Sequence, residues 1–107
     1  MSGNNSPDWY SNTRGGGGVD CSGLRRESAL QAPNPDAVDA LRPGDVLGLV
    51  LHDGDAPTIA AMTASGIEAG AVTPDRALID CLRLGVAFLG TIKSAEGAQI
   101  LLSIRAE

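Results

Sequence analysis

The stretch VLGLVLHDGDAPTIAAMTASGIEAGAV, residues 46–72, decides how this chain folds. It holds three short apolar runs, Val46 to Leu51, Thr58 to Ala64 and Ile67 to Val72, parted by His52-Asp53-Gly54-Asp55 and by Ser65-Gly66. Runs this short, rich in Val, Ile, Thr and Ala and bounded by Gly, Asp and Ser, read as successive strands of a meander. VLGLVL is apolar without alternation, the pattern of a strand buried on both faces or crossing a barrel wall. Gly54 is expected to take a positive φ in the first turn. The links are too short for the helical crossover that parallel neighbours need, so the pairing is antiparallel.

Downstream lies the clearest helix signal. Thr73 is placed to cap it, Pro74 sits at the first helical position, and Ala77, Leu78, Cys81 and Leu82 fall three and four apart on one face. Arg76 and Asp80 are spaced for a surface pair, and Gly85 supplies a left-handed terminus. Val86, Phe88 and Ile92 then alternate with Ala87, Thr91 and Lys93. After Glu96-Gly97, Ile100, Leu102 and Ile104 alternate with Gln99, Ser103 and Arg105, which makes a hairpin with Phe88 on its core side. Upstream, Val19 to Leu30 reads as extended, ended by Pro33-Asn34-Pro35, where Asn34 can cap a turn or two of helix through Leu41. Pro43-Gly44-Asp45 forces a turn into Val46. The whole predicts a mainly β (α+β) fold. It is a small, partly open barrel of five or six short strands with one helix, about residues 74–84, before the C-terminal hairpin and plugging one end.

The length of 107 residues suits one core. Residues 1–18 are rich in Gly, Ser and Asn and read as a flexible tail, leaving residues 19–107 as a single small barrel domain. Within the tail, Trp9 and Tyr10 are the candidates for a binding anchor. Hydrophobic residues make up 43% and charged residues 20%, with Trp9, Tyr10 and Phe88 as the aromatics, so the core is assembled from small aliphatic side chains. The formal charge of −5 opposes non-specific attraction to a phosphate backbone. No apolar run approaches the ~20 residues of a membrane span, and the first residues lack a signal-peptide pattern, which leads us to expect a cytoplasmic protein without membrane contact. The two cysteines, Cys21 and Cys81, form no metal-ligand cluster, and neither a metal nor a cofactor is expected. Cys81 reads as a small buried hydrophobe on the helix face. A disulfide joining the two requires an oxidising compartment, which nothing in the sequence indicates.

Two motifs carry resemblances. Asp20-Cys21-Ser22-Gly23-Leu24, after Gly15 to Gly18 and before Leu41-Arg42-Pro43-Gly44-Asp45, resembles NlpC-type cell-wall peptidases; the resemblance implies Cys21 as nucleophile and His52 as base. The order of elements from Leu41 to Ile104 resembles HIRAN domains, which implies a small barrel holding the 3′ end of single-stranded DNA. The residues themselves favour a different reading. A cysteine nucleophile needs a helix N-terminus and an imidazole beside it, whereas the segment after Cys21 meets Pro33 within about three helical turns. Sequence-tolerant binding of single strands needs aromatic platforms in a positive groove, and the barrel proper offers only Phe88. Arg25, Arg26, Arg42 and Lys93 are the cations that could gather on one face. We therefore read the chain as a non-catalytic interaction or assembly module whose partner is a protein or a second copy. The tail, a strand edge or a helix face would meet it. Nucleic-acid binding is the alternative, and a hydrolase using Cys21 and His52 the second alternative.

Overall fold

The structure is a computed structural model that describes residues 20–97 and 99–107. A short 3-10 turn at Cys21–Gly23 leads into strand β1 (Arg25–Ala29) and a one-turn helix, α1 (Pro35–Val38). The meander follows as β2 (Val46–His52), β3 (Thr58–Met62) and β4 (Glu68–Val72). Helix α2 (Arg76–Arg83) then precedes the hairpin of β5 (Phe88–Glu96) and β6 (Gln99–Ala106). The six strands form one antiparallel sheet in the order β1-β6-β5-β2-β3-β4. It curls into a half-barrel, as the short links and turn chemistry predict.

The curl brings the two edges of the sheet together. Just beyond β1, Gln31 exchanges both backbone hydrogen bonds with Ala71 of β4, at 2.7 and 2.9 Å. Nearby, Ser28 Oγ accepts from the Thr73 N–H at 3.2 Å, Gln31 Nε2 donates to Thr73 Oγ1 at 2.6 Å, and Arg26 pairs with Asp75. Gly70 allows this approach, because a Cβ there would lie 2.8 Å from both the Gln31 carbonyl oxygen and Leu30 Cγ. Ala32, at φ 47°, then turns the chain out of the seam; that left-handed conformation is uncommon for a residue with a Cβ. Register shifts at Ala61/Met62 and Ile92/Ser94 bend β3 and β5 in the sense that bulges bend strands.

The concave face carries the core: Leu47 and Leu49 of β2, Ile59 and Ala61 of β3, Val72, Phe88, Ile92, and Ile100, Leu102 and Ile104 of β6. Phe88 is buried, as the alternation predicts. Of the two readings of VLGLVL, β2 is a strand of the barrel wall and is not buried on both faces. Val46 and Val50 are 47% and 43% exposed while Leu47 and Leu49 are buried, because the convex face of the sheet has no covering layer.

Helix α2 closes one end through Leu78, Ile79 and Cys81. It begins two residues later than the Thr73-Pro74 signal suggests. Asp75 is the cap instead: its carboxylate accepts from the Ala77 N–H at 2.9 Å while Arg26 holds its other oxygen. The helix ends at Arg83, and Gly85 takes φ 90° as expected. Gly54 does not have a positive φ; in that turn Asp53 Oδ1 accepts from the Gly54 N–H at 3.0 Å. Asn34 caps α1 as predicted, accepting from the Asp36 N–H at 3.1 Å. Cys21 lies in a 3-10 turn, not in a strand, since Asp20 accepts from the Ser22 N–H and hydroxyl and winds the chain there. Nor is Cys81 a free thiol. It is fully buried and joined to Cys21 in a disulfide with Cα atoms 5.7 Å apart, which ties the N-terminal turn to α2.

Candidate interaction surface

The end of the half-barrel opposite α2 is open. Asn34 pins α1 against β4: its backbone N–H donates to the Ala69 carbonyl at 2.8 Å and its side-chain amide to that of Glu68 at 3.2 Å. Beyond α1 the chain turns at Arg42-Pro43-Gly44-Asp45, where Asp45 Oδ2 accepts from the Arg42 N–H at 2.9 Å and Gly44 takes φ 94°. Gly44 and Asp45 bond to Ile92 of β5, at 2.8 and 2.9 Å, so this turn is fixed to the sheet. Facing it is the β3–β4 turn. There Thr63 Oγ1 accepts from the Ile67 N–H at 3.1 Å and lies 3.0 Å from Ser65 Oγ.

Between these walls runs a groove of about 510 Å³. Ala37, Leu41 and Leu47 form its floor, and Val46 and Ile67 stand at its lips, 47% and 50% exposed. Asp36 and Asp45 mark its rim, Thr63 and Ser65 contribute hydroxyls, and none of its lining residues is basic. Concave apolar surfaces with a few polar groups at the edge are the usual form of a recognition site.

The four predicted cations do not all gather: Arg25 and Lys93 lie on the same face of the sheet, where Lys93 is paired with Glu27, two residues along β1 from Arg25, and the other two lie elsewhere. Arg26 is paired with Asp75 at the seam, and Lys93 Nζ reaches Glu27 at 2.5 Å. Arg42 folds back to donate to the Asp39 and Leu41 carbonyls at 3.0 and 2.9 Å. Arg25 stands on the convex face in register with Arg105, beside Leu89, and neither arginine has a carboxylate partner among the described residues. Trp9 and Tyr10 lie outside the described residues.

Cys21 and His52 form no catalytic pair. The sulfur of Cys21 is bonded to Cys81 and offers no thiolate, while His52 is exposed at the C-terminal end of β2, in register with Thr58. Beyond His52, Arg83 forms a two-pronged contact with Asp53, at 2.9 and 2.8 Å. Hydrogen bonding from that guanidinium holds the Asp53 carboxyl below its ordinary range. Asp75 is also lowered. Its partial burial pushes upward, but the hydrogen bonds from Arg26 and from the Ala77 N–H outweigh it. These shifts belong to ion pairs that brace α2, and they are not arranged around a reacting centre. Among the described residues no group of three His, Cys, Asp or Glu side chains comes together to hold a metal, and no helix is long and apolar enough to cross a membrane.

No protein-family model matches the chain, and neither a curated protein nor a solved structure matches it.

Sequence reasoning missed the groove because its walls lie far apart in the chain. Leu41-Arg42-Pro43-Gly44-Asp45 was readable as a turn and Ser65-Gly66 as another, but only the register of β2 with β3 sets them face to face. Alternation alone places Arg105 on the outer face. Its pairing with Arg25 needed the β1–β6 register.

Proposed function

We propose that the protein is a non-catalytic interaction module that takes a protein partner in the groove between α1 and the β3–β4 turn. The observation that carries this reading is a preformed apolar hollow with two half-exposed aliphatic lips, Val46 and Ile67. Leaving such groups in water at a concave site forgoes burial worth about 25 cal/mol per Å² of apolar surface, which a partner would recover. A strand edge is a less suitable meeting place, since Gln31, Ser28 and Arg26 already bridge the edges of the sheet.

The Cys21–Cys81 bond weighs on location as well. Disulfides persist in oxidising compartments and are rare in the cytosol, so the module belongs where thiols are oxidised, contrary to the cytoplasmic expectation. Rapid acid quenching of cells followed by maleimide labelling tests this: both cysteines should resist the label until a reductant is added.

The groove reading is tested by comparing partners captured by the wild type, by Ile67→Lys and by Arg25→Ala, then measuring Kd with the purified partner. Capture lost with Ile67→Lys and kept with Arg25→Ala is the expected result. Capture and Kd that Ile67→Lys leaves unchanged remove the groove from the account. Salt-dependent binding of a labelled single-stranded oligonucleotide that Arg25→Ala abolishes replaces it with the nucleic-acid reading.

A further inference from the structure

We infer that the groove at the α1 end selects a peptide segment presenting an aliphatic side chain flanked by lysine or arginine. This rests on the groove being the partner site, and it adds the chemistry of what enters. The carrying observation is charge complementarity at a built apolar hollow. The floor of Ala37, Leu41 and Leu47 offers an aliphatic side chain contact with hydrocarbon alone. The rim above it carries the carboxylates of Asp36 and Asp45 and no cation.

The two carboxylates are differently placed to act. Asp45, which lines the groove, already accepts from the Arg42 N–H, which fixes its carboxylate within the turn that borders the groove. Asp36 stands in the first turn of α1, with no side-chain partner among the described residues, and keeps its capacity for an incoming cation. Arg42 keeps its charge, but its guanidinium donates to the Asp39 and Leu41 carbonyls and forms no ion pair with Asp36 or Asp45. The surrounding chain adds to the effect, with a formal charge of −5 that favours approach of a basic segment and disfavours an acidic one. Acidic groups at the edge of an apolar patch thus supply selectivity, while the half-exposed lips, Val46 and Ile67, supply most of the apolar surface that a partner can bury.

The test uses three capped tetrapeptides, Lys-Leu-Leu-Lys, Gly-Leu-Leu-Gly and Glu-Leu-Leu-Glu, titrated into the ¹⁵N-labelled full chain with its disulfide intact. Amide shifts are followed at Val46, Thr63, Ser65 and Ile67. The lysine peptide should shift these amides saturably and more tightly than the glycine peptide, by about two- to fivefold per engaged carboxylate, with the glutamate peptide weakest. Asp36→Lys, an exposed position that leaves the fold in place, should reverse the order of the lysine and glutamate peptides; Asp36→Asn should narrow it. If all three peptides shift the groove amides alike, the charge inference fails while the groove remains a docking site. If none shifts them, or the shifts fall at Arg25 and Arg105 on the convex face, the groove reading fails with it.

Discussion

The two ends of this half-barrel are built in opposite ways. At the α2 end, a covalent bond from Cys21 to Cys81, the Arg26–Asp75 pair and the two-pronged Arg83–Asp53 contact hold the N-terminal turn, the seam and the β2–β3 turn onto one helix. At the α1 end, a helix of four residues and two tight turns enclose a hollow whose lips are half in water. One end is fastened by contacts that act at long sequence separation. The other is pinned to the sheet by hydrogen bonds, from Asn34 to Glu68 and Ala69 and between Ile92 and the Gly44-Asp45 pair, and encloses a hollow left unfilled. The difference teaches where this chain is fastened and where it leaves apolar surface in water: the first end constrains the fold, and the second is where the proposed partner would sit.

The largest expected effect comes from cutting the fastening. The disulfide spans a separation of 60 residues, and removing the constraint that such a loop places on the unfolded chain should cost about 4 kcal/mol. Urea unfolding of the wild type with and without reductant, and of Cys21→Ser combined with Cys81→Ala, should show that loss. An unchanged midpoint on reduction would mean that the α2 end is held by packing alone and would erase half of the contrast. The next effect belongs to the seam. Gly70→Ala forces a Cβ to 2.8 Å from backbone and side-chain atoms of Leu30 and Gln31 and should cost roughly 2 kcal/mol. Gly48→Ala has no atom within 4 Å of its new Cβ, and should be neutral or stabilising by up to about 1 kcal/mol. Comparable losses from both would show that the edges do not meet as described.

The seam also marks the limit of what was legible from residues alone. Strand positions, the burial of Phe88, the Asn34 cap and the left-handed Gly85 all follow from local rules, because each depends on neighbours within a few positions. The start of α2 did not, since Asp75 outcompetes Thr73 with the help of Arg26, which lies 49 residues earlier. Cys81 is buried on the helix face as its spacing predicts, but its bond to Cys21 depends on a residue far off in the chain. Its place on an apolar helix face suits a buried hydrophobe and a disulfide equally, and only the position of Cys21 separates them. The groove is the plainest case, being made of two unremarkable turns whose meaning lies in their juxtaposition.

A smaller effect probes the ion pair that closes the seam. Asp75→Asn keeps a capping side chain and removes the charge, so its cost near neutral pH should be below about 1 kcal/mol. The pH dependence identifies the source. The folded carboxyl titrates below its ordinary value of 3.8, so its contribution is complete above about that pH and drains away as the pH falls through the lower folded value. The stability difference between wild type and Asp75→Asn should therefore be constant at neutral pH and vanish in stronger acid. A difference that persists unchanged into acid would assign the loss to packing.

The smallest effect on folding should come from the open end. Ile67 is half exposed, so Ile67→Ser removes little apolar surface that folding had buried, and its cost should stay near 0.5 to ~1 kcal/mol. Leu47, on the floor of the same groove, is buried in the core, and Leu47→Ala should cost at least ~2 kcal/mol. The two side chains border one hollow but are placed differently: Leu47 packs against this chain, whereas Ile67 keeps half its surface in water. Binding of the lysine tetrapeptide separates those roles, since Ile67→Ser should weaken it in a protein whose unfolding midpoint has barely moved. If Ile67→Ser instead unfolds the protein as readily as Leu47→Ala, the lip is part of the core, and the α1 end is fastened as firmly as the end held by the disulfide.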